Sequence, residues 1–195
     1  MPDEGAATGA GRPTRADARR NRERVLRAAR DAFAQSGFGV PLDEIAARAR
    51  VGPGTVYRHF PTKEALFQAV IEARLTDLAA DARARASSDD PGGAFFGFLA
   101  RLGDEAASKR DLSDAIDIPG PLRDALQEEL SVLLRRAQQA GAVRADVTTP
   151  ELIALLKGMM AGIREAAALP PDPARPGRFL AILSEGLRPS QAAGR

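Results

Sequence analysis

The chain has no cysteine and no tryptophan, a single histidine, a single tyrosine and, among 28 basic residues, only three lysines. Without cysteine there is no disulfide framework, zinc ribbon or thiol nucleophile. With one histidine and no HExxH, P-loop or GxGxxG-type spacing, the usual catalytic and metal-binding constellations are missing as well. Carboxylate pairs do occur, at Asp89-Asp90 and Glu128-Glu129, but adjacent side chains on a helix or loop point apart and belong in solvent. The expectation is a protein that is not an enzyme and uses no metal and no cofactor. No apolar run reaches the length of a signal h-region or a membrane span, so a cytoplasmic protein with no membrane partner is expected.

At 195 residues and 44% hydrophobic content the chain can build a real core. Its formal net charge is only +2, yet the charge is segregated. Residues 1–63 hold 12 basic against 7 acidic side chains, whereas residues 64–195 hold 16 against 19. An arginine-heavy composition accounts for the choice of Arg over Lys, but not for this separation. A positive front end points to a polyanionic partner.

Apolar periodicity is helical throughout, with no convincing alternation and no internal repeat, so the fold class is all-α. Residues 1–16, rich in Gly, Ala and Pro, are expected to form a disordered basic arm carrying Arg12 and Arg15. From Asp17 to Gln35, residues Val25, Ala28, Ala29, Ala32 and Phe33 share one helix face. A short helix follows in PLDEIAARAR, with Pro41 suited to its first position. Then comes VGPGTVYRHFPTKEAL, residues 51–66, a break and a short helix starting near Pro53, followed by a long helix with Thr62 as its candidate N-cap. Further helices are expected around Phe95–Leu102, from Leu122 to Gly141, from Pro150 to Leu169 and around Phe179–Leu187, separated by SSDDPGG and proline-rich breaks.

Two short helices joined by a tight turn after a longer one make a unit of helix-turn-helix type. In its last helix Val56 and Phe60 share the apolar face with Val51, which leaves Arg58 pointing away from the core beside Gly54 and Thr55. Tyr57 and His59, the two unique side chains, fall on opposite borders of that ridge. There each can donate to a phosphate while the ridge meets base edges, and Lys63 at the next helix start can meet another. The plain alternatives are a half-buried rim Tyr57, a surface His59 and a solvated Arg58.

These residues resemble the TetR-type transcriptional regulators. The resemblance runs over about residues 17–70 through Gly37-Phe38, Ile45-Ala46, Val51, Gly54-Thr55-Val56-Tyr57-Arg58-His59-Phe60 and Lys63-Glu64 with Leu66. It implies DNA binding by Pro53, Gly54, Thr55, Tyr57, Arg58, His59 and Lys63. The chain departs from the family pattern where Val40 and Pro41 replace Ser or Thr, where Arg50 replaces Gly, and where Gly52 and Pro53 replace Ser-Lys. Pro53 can touch a thymine methyl, and Arg58 becomes the candidate for guanine.

The implied organisation is a DNA-binding unit over 17–61, an effector-binding and dimerisation unit over 62–188, and a disordered tail over 189–195. Pocket candidates are Phe95, Phe98, Leu99, Leu102, Leu126 and Leu130, with Met159, Met160 and Ile163; the alternative for each is ordinary core packing. Dimer candidates are Leu152, Leu156, Phe179, Ile182 and Leu183, the alternative again being intramolecular core. Together these imply a homodimeric repressor on a palindromic, double-stranded operator, released by a small-molecule effector. The rival reading is a helical binding protein that kept the fold and lost DNA recognition.

Overall fold

The computed structural model of the chain describes residues 14–107, 119–166, 172 and 175–189, and among these every regular element is helical. In order they are α1 (Arg15–Ser36), a 3-10 turn (Gly37–Gly39), α2 (Leu42–Ala49), α3 (Pro53–His59), α4 (Lys63–Arg85), α5 (Pro91–Ala107), α6 (Gly120–Gln139), α7 (Thr149–Glu165) and α8 (Arg175–Leu187). The all-α expectation holds. Arg12, most of the expected arm and residues 190–195 lie outside the described residues, as does most of the proline-rich segment before α8.

Helix α1 begins at Arg15, so the end of the expected arm is helical. The reason is a capping box at Thr14: its hydroxyl accepts from the Asp17 N–H at 3.1 Å, and the Asp17 carboxylate accepts from the Thr14 N–H at 3.0 Å. The Thr14 hydroxyl and N–H, then Arg20, hold the Asp17 carboxyl down from 3.8 to about 2. A depressed pKa means the box is fully formed above the ordinary carboxylate range and is lost as pH falls through about 2. Carbon-13 titration should therefore place the Asp17 midpoint near 2 in the native protein and return it towards 3.8 in Thr14→Ala. An unchanged midpoint in that variant would contradict the cap.

Other boundaries move for equally local reasons. Pro41 is the cap residue of α2 rather than its first helical residue. Helix α5 starts at Pro91, inside the expected SSDDPGG loop, because the Asp90 carboxylate accepts from the Gly93 N–H at 2.8 Å. Gly92 lets that end approach the turn after α6, since a Cβ there would sit 2.7 Å from the Ala142 Cβ. Thr62 caps α4 as its sequence suggests, accepting from Ala65 N–H at 3.1 Å.

Burial sorts these helices into two cores. The smaller unites Val25, Ala29 and Phe33 of α1, Ile45 and Ala46 of α2, Val56 and Phe60 at α3, and Leu66, Phe67 and Val70 of α4. The larger is built from α4 to α8 around Leu78, Phe95, Phe98, Leu99, Leu133 and Leu152. Helix α4 contributes its first turns to one core and its later turns to the other, so it is the mechanical link between them.

Candidate nucleic-acid interface

The unit formed by α2 and α3 is held from beneath. Val56 is completely buried and Phe60 nearly so, and the Phe60 N–H closes the last turn on the Val56 carbonyl at 2.8 Å. With these two side chains fixed in the smaller core, the opposite side of α3 must face outward. Pro53, Gly54, Tyr57 and Arg58 are exposed, and Thr55 and His59 are half-buried on the flanks. Among the described residues the Tyr57 and Arg58 side chains make no hydrogen bond or ion pair, leaving the polar ends of both available to a partner. Gly54 needs no special backbone angle and no atom lies within 4 Å of a Cβ built there. Among the described residues nothing packed around that position asks for a glycine.

Helix α3 enters its first turn with Pro53, whose missing N–H costs nothing there, and with Gly52 as a cap lacking any side-chain bond. The chain turns from α2 towards it at Arg50, the left-handed C-cap of α2. Its φ of 53° and ψ of 47° make it the sole non-glycine with positive φ among the described residues. That conformation costs an L-residue roughly 1–2 kcal/mol, which explains why the family pattern favours Gly there. Backbone bonds from Arg50 N–H to Ala47 and from Val51 N–H to Ala46, at 3.0 and 3.1 Å, close the end of α2.

Two cations frame the helix. The Lys63 ammonium rests 4.8 Å from the centroid of the Phe38 ring, which is 38% exposed and packs edge-on against Phe67. The Arg22 guanidinium lies 5.3 Å from the centroid of the Phe60 ring. Such contacts order a long side chain while leaving its charge in water. Sequence alone does not single out Arg22, one of seven arginines in α1. Its signal is spatial, because only the fold brings α1 beside the end of α3.

Two stretches of sequence similarity coincide with the two cores. Residues 25–70 match the model for bacterial regulatory proteins of the tetR family. Residues 90–189 match the SbtR-like transcriptional regulator C-terminal domain. The chain belongs to the TetR family. A TetR transcription regulatory protein from Mycobacterium vanbaalenii is 40% identical with a TM-score of 0.71, the match covering 90% of this chain and 99% of that one. TetR regulator SCO0520 from Streptomyces coelicolor is 29% identical with a TM-score of 0.71, covering 87% and 99%. The curated HTH-type regulator UidR of Escherichia coli K12 is 43% identical over 56 residues, 28% of this chain and 29% of UidR. The match thus spans less than a third of that curated relative. As a TetR-family chain the protein is a helix-turn-helix transcriptional regulator, not an enzyme.

In this TetR-family fold the residues expected to line a pocket and those expected at a dimer interface take the following places. Phe95, Phe98, Leu99, Leu102, Leu130, Met159 and Ile163 are buried in the larger core, with Leu126 and Met160 packed against it. They are brought together as a packed cluster. A polar surface groove of about 420 Å³ lies elsewhere, along α6, between Asp124, Glu128, Arg135 and Thr149. Leu152 and Leu156, expected at the dimer interface, are instead buried inside the chain because α7 turns that stripe towards α5, α6 and α8. Phe179 and Leu183 are half-buried against the same core. The large apolar side chains left outside on α7 and α8 are Leu155, 47% exposed, and Ile182, 68% exposed. No helix among the described residues is long and apolar enough to cross a membrane.

Proposed function

We propose that the protein is a homodimeric repressor acting in the cytoplasm, which binds a palindromic operator through α3 and leaves it when a small molecule enters the larger core. The observation that carries this reading is the outward side of α3. Tyr57 and Arg58 stand unpartnered on a buried anchor, His59 flanks them, and Arg22 and Lys63 are held at the margins. Arg58 would meet base edges, with Thr55, Pro53 and the bare backbone of Gly54 allowing close approach. Tyr57, His59, Lys63 and Arg22 would meet phosphates on the groove walls. One seven-residue helix gives a small contact, and a two-fold partner doubles it. Half-sites would then lie roughly 34 to 36 Å apart, or a multiple of that.

The dimer surface would be the exposed side of α7 and α8 around Leu155 and Ile182, flanked by the exposed small residues Ala154, Gly158, Ala161, Ala181 and Gly186. An interface anchor is worth about 2 kcal/mol or more and counts twice across a two-fold axis. Ile182→Arg should therefore raise the dimer dissociation constant on the order of 10³-fold by analytical ultracentrifugation. A variant that stays dimeric at the same concentrations would place the interface elsewhere. Release follows from α4, which belongs to both cores: an effector that shifts its later turns would change the separation of the two recognition helices.

The DNA-binding reading is tested by duplex affinity measured against salt. Each phosphate contact adds roughly 0.9 to the slope of log affinity on log salt. Lys63→Ala should lower the slope by about 2 for a dimer while leaving the preferred sequence unchanged. A folded wild type whose duplex affinity ignores salt would favour the rival reading of a helical binding protein without DNA recognition.

A further inference from the structure

We infer that Arg24 is a positioning residue for the recognition helix, acting through the carbonyl of Arg50. The Arg24 guanidinium, on α1, donates to that carbonyl at 2.8 Å across 26 positions of sequence, and also approaches the Asn21 side-chain oxygen at 3.5 Å. Arg50 is the left-handed residue that ends α2 and turns the chain into α3. Neither α2 nor α3 has a side-chain cap, since their cap positions are Pro41 and Gly52. At this turn the backbone bonds from the Arg50 and Val51 N–H groups are joined by the Arg24 side-chain bond, which comes from outside the helix-turn-helix pair.

The logic is compensatory. A glycine would adopt the left-handed conformation without steric penalty, whereas Arg50 adopts it against one. A carbonyl rotated out of the helix at such a residue is open to a donor, and the Arg24 guanidinium supplies a charge-assisted one. If the Arg50 peptide rotates, Val51, Gly52 and Pro53 move with it, and the start of α3 swings relative to α1. Arg24 ties that peptide to the helix that runs through the smaller core. The chain therefore tolerates arginine at a glycine position because another arginine pins the peptide.

The proposal rests on the DNA-binding reading for its functional arm and is independent of it for its structural arm. A four-member cycle of wild type, Arg24→Met, Arg50→Gly and the double variant tests both, in the full chain. Methionine keeps an apolar stem of similar reach but no donor. Unfolding by urea is expected to show a clear destabilisation from Arg24→Met in the wild-type background and a much smaller one in the Arg50→Gly background. For a duplex selected by the wild type, Arg24→Met should weaken specific binding roughly threefold per recognition helix, about tenfold for a dimer, because the bond is exposed to water. In the Arg50→Gly background the loss should shrink to less than about twofold. Arg24→Lys should recover part of it in the wild-type background.

A phosphate contact by Arg24 would behave differently. It would give the same loss in both backgrounds and a lower salt slope, and that result overturns the proposal. Additive unfolding effects would overturn it too. Coupling in unfolding without coupling in DNA affinity would show a lock that does not aim the helix, and would also refute the positioning role. Should the wild type bind no duplex, the DNA-binding reading fails, and the unfolding cycle still decides whether Arg24 holds Arg50.

Discussion

Arg58→Ala is expected to weaken operator binding by about 30-fold to 10⁴-fold and to relax sequence preference at one position in each half-site. The range follows from a bidentate arginine–guanine pair, worth about 1–3 kcal/mol of discrimination, counted once per protomer. Arg58 is the long cation on the outward side of α3 and has no partner inside the described chain, so its removal leaves no buried group unsatisfied. Folding should be untouched, and the loss should appear in affinity alone. Tyr57→Phe provides the contrast. It removes a hydroxyl from the border of the helix, so it should weaken all sequences about equally and leave the preferred site unchanged. Competition binding against a panel of duplexes substituted at single positions measures both effects. An Arg58→Ala protein with wild-type selectivity would mean that the arginine is only solvated.

The second large effect is on stability. Phe33→Ala should cost about 3–5 kcal/mol, the usual range for a fully enclosed phenylalanine. Phe33 is 2% exposed, at the centre of the smaller core, and meets Phe67 edge-on with ring centroids 5.2 Å apart. Its loss would open a cavity where α1 meets α4, beneath the helix-turn-helix unit. Urea titration should show a lower midpoint, with DNA binding lost at temperatures where the wild type still binds. Phe38→Ala offers the comparison, since that ring is exposed on one side and its truncation removes less buried area. Its expected signature is a small stability change together with weaker DNA binding, because Lys63 loses the ring beneath it. Equal destabilisation by the two substitutions would contradict the burial pattern.

The recognition unit is legible in the sequence because its constraints are local. Val56 and Phe60 are four residues apart, and that spacing alone decides which side of a short helix is buried. Thr62 before a long apolar period is likewise sufficient to start α4. The Thr14 capping box is equally present, as Thr-x-x-Asp, but it sits in a Gly- and Ala-rich run whose composition suggests no helix. What local pattern leaves open is the partner of each apolar stripe. Helix α7 carries Leu152 and Leu156 on one side and Leu155 on another; periodicity finds them all apolar and helical. Only the positions of α5, α6 and α8 show that the first two are enclosed and the third is exposed. The same limit applies to Arg22 and Arg24, whose places depend on α1 lying against the α2–α3 turn. Arg50 stands out by its departure from the family pattern, and its left-handed backbone supplies the physical reason.

Whether α3 reads DNA is decided by selecting bound duplexes from a randomised pool at near-physiological salt, with wild type, Tyr57→Phe and Arg58→Ala run in parallel. The expected result is an enriched palindrome for the wild type. The same palindrome should be recovered less efficiently by Tyr57→Phe, and Arg58→Ala should recover it degenerate at one base pair in each half-site. A folded wild type that enriches no sequence would contradict the assignment of α3 as the recognition helix.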